Sequence, residues 1–187
     1  MKALQKLTIS CVLLSALGAH AHDDIEPYDR DLYRHWIDSD GDCVNTRHEV
    51  LINESLTIPT MDDDECKVAA GLWFDPYTGR FFEDPTELDV DHLVPLKEAH
   101  ESGGHAWSAS KRRDYANDMA DADTLIAVYK SANRSKGARD PANWMPENTA
   151  WHCAYIKRWS AVKARWNLSM DAVEARWISR YQSNVCK

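Results

Sequence analysis

Beyond a single stretch at its start, the chain has no long apolar run, and its mean hydropathy is −0.55. That excludes a polytopic membrane protein. It has no internal repeat and no low-complexity linker, which excludes a solenoid or a string of tethered modules. No two cysteines stand in a C-x-x-C pair, which argues against a zinc ribbon or a thioredoxin-type site. Positive charge is also scarce, with 22 Lys+Arg against 30 Asp+Glu and a net charge of −8. On its face, that balance argues against a nucleic-acid partner. Apolar surface is plentiful: 44% of the 187 residues are hydrophobic and eight are Trp. Such a chain can bury a core, and its length suits one domain.

The lone apolar stretch has the layout of a secretory signal peptide. Met1–Lys6 carries two lysines, Leu7–Leu17 is apolar, and Ala19-His20-Ala21 is a small-x-small cleavage site. Residues 1–21 are therefore set aside, and 22–187 are read as a single domain exported to the periplasm or the medium. Without Cys11, four cysteines remain: Cys43, Cys66, Cys153 and Cys186. An even count in an oxidising compartment favours two disulfides. Three connectivities are possible, and proximity favours Cys43–Cys66 and Cys153–Cys186.

Local patterns divide the chain. Tyr28–Trp36 suggests a short helix. Asp38-Ser39-Asp40-Gly41-Asp42 is an acidic turn that opens like a calcium loop. A solvated turn is the favoured reading there, with structural Ca²⁺ at Asp38, Asp40 and Asp42 as a lesser expectation. Residues 71–96 read as β, with Leu72-Trp73-Phe74 and Arg80-Phe81-Phe82 flanking a hairpin-type turn, and an extended run from Leu88 to Val94. Ser108 or Ser110 could cap a helix through Asp118, and Thr124–Ala132 reads as another short helix. Trp151, Tyr155, Trp159, Val162 and Trp166 follow a helical period, and a further helix starts near Ser169. Their aromatic stripe is read as core.

Two segments carry chemistry. Asp91-His92-Leu93-Val94-Pro95 closes a predicted strand, where a carboxylate and an imidazole among apolar residues need partners. Ala132-Asn133-Arg134-Ser135-Lys136-Gly137 follows some forty residues later. His100 and His105 stand five apart across two glycines, which breaks the H-E-x-x-H spacing of a zinc peptidase.

Asp-His-hydrophobic-hydrophobic-Pro-Leu followed by Asn-Arg-x-Lys-Gly resembles the HNH endonucleases of the ββα-metal, or His-Me finger, superfamily. With Trp36–Leu51, Gly71–Gly79, Gly103–Asn117 and Asp140–Pro146, the chain is similar to a secreted bacterial branch related to the HNH domain of GmrSD-type restriction enzymes. The likeness spans nearly all of the exported part. It implies an α+β fold: a ββα-metal core with additional helices, stapled by disulfides.

The resemblance also implies roles. His92 would be the general base, and Asp91 and Asn133 would hold one Mg²⁺, or Mn²⁺, through oxygen. Arg134, Lys136, Arg139 and Arg113 would contact phosphates. Asp89 would support the metal ligands, and Asn117 or Asp123 would fix the loop between the motif halves. Neighbours on a regular strand face opposite ways, so Asp91 and His92 need a bulge or a strand end to share a site. The function implied is a secreted, monomeric endonuclease cutting DNA, with RNA also open, through backbone contacts without sequence readout. The alternative is a disulfide-stapled extracellular nucleic-acid-binding module with a catalytically degenerate HNH fold.

The charge distribution supports a polyanionic partner after all. Residues 22–100 hold 6 basic and 21 acidic side chains, net −15, whereas residues 101–187 hold 14 and 9, net +5. The basic half contains both the Asn133 segment and Lys111-Arg112-Arg113.

Overall fold

The computed structural model describes residues 26–186, so the expected signal peptide lies outside the described residues. At the centre is an antiparallel ribbon of β5 (Leu88–His92) and β6 (Leu125–Tyr129), with Leu88 opposite Tyr129 and His92 opposite Leu125. Both of its faces are covered. Val90, Leu125 and Ala127 pack with Val50, Leu51, Trp73 and Phe82 on one side. Ile126 and Val128 join Leu93, Tyr155, Ile156 and Trp159 on the other.

This double burial explains why the sequence pattern over Thr124–Ala132 suggests a helix where the fold has a strand. Leu125–Tyr129 is a strand, and the helix begins only at Lys130. A short apolar run buried on both faces has no period that separates strand from helix. The helix that follows, α4 (Lys130–Lys136), ends at Gly137, whose φ of 59° lets the chain turn away sharply.

Other elements buttress the ribbon. Helix α1 (Thr46–Glu54), which the sequence patterns do not announce, is capped by Asn45 and covers the ribbon with Val50 and Leu51. Its Glu54 accepts a hydrogen bond of 2.8 Å from the Ala127 backbone, satisfying an edge amide of β6. Two more hairpins follow: β1 (Thr60–Met61) with β2 (Val68–Ala70), and the expected β3 (Trp73–Asp75) with β4 (Arg80–Phe82). After β5 come α2 (Leu96–Glu101) and α3 (Ala109–Ala116), the latter capped by Ser108 and ending two residues before the expected Asp118.

The aromatic stripe is core, as its period implies. In α5 (His152–Arg165), Tyr155, Ile156, Trp159 and Val162 are buried. Helix α6 (Ala172–Asn184) is bound to it through Lys163, which lies 2.7 Å from Glu174 and 2.6 Å from Glu98 of α2. Disulfides join Cys43 to Cys66 and Cys153 to Cys186, the pairing that proximity favours. The result is a mixed α/β protein with two disulfides.

Tyr28–Trp36 does not form the expected helix. Only Arg30–Leu32 make a 3-10 turn, and Trp36 has a φ of 56°, incompatible with a continuing helix. The segment is held by side chains instead. His100 Nε2 donates to the Glu26 carbonyl at 2.7 Å, and Arg112 pairs with the Glu26 carboxylate at 2.5 Å.

Candidate active site

His92 is the last residue of β5 and is 4% exposed. Its Nε2 lies 2.9 Å from the Ala116 carbonyl, at the end of α3. A carbonyl can only accept, so Nε2 carries the hydrogen and Nδ1 keeps its lone pair. Trp36 stacks on the ring, with centroids 5.4 Å apart. Burial drives the His92 pKa down to about 3, against the opposing pull of the Ala116 bond. The imidazole is thus neutral throughout the ordinary pH range.

Asn117 fastens this arrangement. Its Nδ2 donates to the Arg34 and Arg113 carbonyls, and its Oδ1 accepts from the Ile37 amide. One side chain therefore ties the end of α3, which carries the Ala116 carbonyl, to the segment carrying Trp36. The other loop-fixing candidate, Asp123, faces Arg158 of α5 at 3.2 Å instead. Asp118 is the buried carboxylate of that loop, bound by Thr124, Arg165 and Trp166.

Asp91 points to the other face of the ribbon. Its Oδ2 accepts from Tyr77 Oη and from Lys136 Nζ, both at 2.6 Å. Lys136 is fully buried and also donates to the His92 carbonyl. This corrects its expected role: an ammonium with no exposure is the counter-ion of Asp91 and meets no phosphate. Burial raises the Asp91 pKa, while Lys136 and Tyr77 hold it down. Asn133, on α4, donates from Nδ2 to Asp89 at 3.2 Å, which turns its Oδ1 away from that carboxylate.

The pairing of β5 and β6 runs through His92 without a bulge. The strand end is what lets neighbours of opposite facing share a site. Asp91, His92 and Asn133 line one cleft of about 330 Å³, together with Tyr28, Arg30, Lys97 and Arg134. Arg113 lies apart, lining a larger cleft of about 800 Å³ beside Arg34, Asp38, Asp42 and Glu49. Arg139 folds back onto the Lys136 carbonyl.

The oxygen donors fit a hard divalent cation. Among the described residues, Asp91 Oδ1 and Asn133 Oδ1 accept no hydrogen bond. Neither is sealed off, because Tyr155 Oη is the only fully buried polar side-chain atom without a partner among the described residues. Carboxylate and amide oxygens beside an open cleft suit Mg²⁺ or Mn²⁺, which retain waters and bind phosphate oxygens.

A second acidic group lies at the Asp38 turn. Ligand atoms of Asp38, Asp40 and Asp42 lie within 4.8 Å of one another, and all three residues are exposed. Glu49 stands at the twelfth position counted from Asp38, where calcium loops carry their bidentate glutamate. Burial and then the three aspartates raise its pKa.

The sequence motifs therefore locate the strand end and α4, but not the rest of the cleft. Tyr28 and Arg30 of the cleft wall, and Trp36 stacked on His92, come from more than fifty residues upstream of His92 and carry no local signal. Tyr77 and the Ala116 carbonyl are equally silent. Lys97 alone had a cue, lying just after Pro95 at the start of a helix.

Residues 27–180 match a family model described as the C-terminal domain of GmrSD restriction endonucleases. An uncharacterized secreted protein of Arthroderma benhamiae is 36% identical over 162 residues, 87% of this chain and 78% of that protein. No solved structure matches the chain.

Proposed function

We propose a function from the premise that this chain belongs to the family of GmrSD restriction endonuclease C-terminal domains, as its match over residues 27–180 shows. It is a metal-dependent endonuclease that hydrolyses phosphodiester bonds of DNA, with RNA as a second substrate to be tested. The strand–strand–helix unit of β5, β6 and α4 is its His-Me finger core.

The observation that carries the reading is the bond from His92 Nε2 to the Ala116 carbonyl. It leaves Nδ1 as the basic atom of a neutral ring at a cleft lined by Asp91 and Asn133. His92 Nδ1 takes a proton from water as the water oxygen bonds to phosphorus, and the far P–O bond breaks. A divalent ion held by Asp91 and Asn133 would stabilise charge on the phosphate and on the departing oxygen. Lys136 and Tyr77 hold the Asp91 carboxylate, Asp89 holds the Asn133 amide, and Asn117 holds the Ala116 carbonyl. Arg134 contributes positive charge at the cleft edge.

Export is supported by the signal-like first 21 residues, by two disulfides and by a relative described as secreted. No helix among the described residues is long and apolar enough to cross a membrane. At the Asp38–Asp42 turn, a structural Ca²⁺ is supported by the three clustered carboxylates of Asp38, Asp40 and Asp42.

The test is incubation of the exported form with plasmid and with RNA, in Mg²⁺ and in EDTA. Cleavage in Mg²⁺ alone supports the reading. Binding without cleavage in any divalent metal would replace it with the nucleic-acid-binding module.

A further inference from the structure

We propose that Arg30, held by His35, is an arginine of the His92 cleft that contacts the scissile phosphate. This inference rests on the nuclease reading and adds to it a residue from the N-terminal segment, far in sequence from both motif halves.

Three cationic side chains line the cleft, each from a different element: Arg30, Lys97 and Arg134. Two of them have carboxylates nearby. Lys97 lies 3.7 Å from Glu101, and Arg134 lies 3.8 Å from Asp89. Arg30 has no carboxylate within salt-bridge distance among the described residues. Its side-chain contacts there are with neutral groups, His35 Nε2 at 3.4 Å and the Tyr28 hydroxyl. An exposed guanidinium beside a neutral acceptor keeps its full charge for an incoming anion.

The state of His35 follows from its other nitrogen. Nδ1 lies 2.9 Å from the Tyr33 carbonyl, so Nδ1 carries the hydrogen and Nε2 presents a lone pair. That lone pair accepts from Arg30. The His35 ring stands edge-on to Trp36 at 5.3 Å, and Trp36 stacks on His92. Arg30 is thereby anchored to the same aromatic stack that holds the general base.

Any phosphorus attacked by a water on His92 Nδ1 must sit within a few ångströms of that ring. The non-bridging oxygens of that phosphate then meet Arg30, the cleft cation with no carboxylate at salt-bridge distance among the described residues. The planar fork of arginine suits two such oxygens, and charge growing on them in the transition state strengthens the contact. His35 is a positioning residue, acting through Arg30.

The experiment uses the exported full chain and four variants: Arg30→Ala, Arg30→Lys, His35→Ala and His35→Gln. An exposed α6 charge, Arg180→Ala, serves as control. Plasmid cleavage in Mg²⁺ gives kcat and KM, and anisotropy of a short labelled duplex in EDTA gives binding against salt. Arg30→Ala should lower kcat about 100-fold, with a smaller change in KM. It should also reduce the salt slope of binding by about one. Arg30→Lys should recover only part of the loss, since it supplies a point charge. His35→Gln retains an acceptor and should stay near wild type, while His35→Ala falls between.

If wild type cuts and Arg30→Ala matches it in both measurements, this inference is wrong and the nuclease reading stands. If wild type never cuts but binds the duplex through Arg30, the nuclease reading fails and the phosphate contact survives. A duplex that wild type neither binds nor cuts overturns both.

Discussion

Lys136 Nζ lies 2.6 Å from Asp91 Oδ2, and this lysine, the last residue of the helix that also carries Asn133, is wholly buried. The carboxylate proposed to serve a metal is thus pinned by a cation buried in the interior. Removing one member of such a pair leaves the other charge uncompensated in a poorly solvated site. Lys136→Met should therefore cost about 3–5 kcal/mol in urea denaturation. The double variant Asp91→Asn/Lys136→Met should recover much of that loss. Equal stability of Lys136→Met and wild type would mean that the pair contributes nothing to the fold.

Two groups, the buried His92 and the partly buried Glu54, give the pH dependence of stability opposite signs. His92 has a folded pKa of about 3, below its ordinary 6.5. Its contribution is complete above pH 6.5 and drains as pH falls towards 3, by up to about 5 kcal/mol. Glu54 is pushed up to about 7 by burial, from an ordinary 4.5. Its contribution is complete below pH 4.5 and is lost as pH rises through 7. Denaturation from pH 4 to 8 should show a maximum between these limbs. Glu54→Gln should flatten the alkaline limb alone; an unchanged limb would remove Glu54 as its cause.

The disulfides should stabilise without building the site. They close 23 and 33 residues of sequence separation, and each should contribute about 3–4 kcal/mol by restricting the unfolded chain. Cys153→Ala/Cys186→Ala should lower Tm while leaving kcat near wild type at 20 °C. Loss of kcat in a protein still folded at that temperature would show that the α5–α6 end shapes the cleft.

Asn117 and Asn133 should fail differently. Asn117→Ala removes three hydrogen bonds that hold the Ala116 carbonyl and Trp36 segments together. It should cut kcat about 10–100-fold, in the range of other orienting contacts, without altering the Mg²⁺ concentration for half-maximal rate. Asn133→Ala should raise that concentration and recover partly in excess Mg²⁺. Identical metal curves for the two would count against Asn133 as a ligand.

Much of this was legible in the sequence because the chemistry is local. Asp91-His92 before Pro95 marks a strand end, and Asn133 through Gly137 marks a helix and its stop. The α5 stripe announces itself by period, and four cysteines pair by proximity. Leu125–Tyr129 was not legible, since burial on both faces erases the alternation that identifies a strand. Lys136 was misjudged because charge suggests exposure, and only the fold reveals a buried partner. Arg30 reaches the cleft, Trp36 reaches His92 and Tyr77 reaches Asp91 through tertiary contacts alone. The basic character of residues 101–187 is likewise incomplete as a guide, because Arg30 and Lys97 come from the acidic half.

The most direct measurement of the central claim is the rate of plasmid nicking by wild type and His92→Ala across a Mg²⁺ titration, with EDTA as the blank. The account predicts nicking by wild type that rises with Mg²⁺ and vanishes in EDTA. It predicts a loss of at least about 100-fold in His92→Ala, which no concentration of Mg²⁺ restores. Nicking by His92→Ala at the wild-type rate, or by wild type in EDTA, would contradict it.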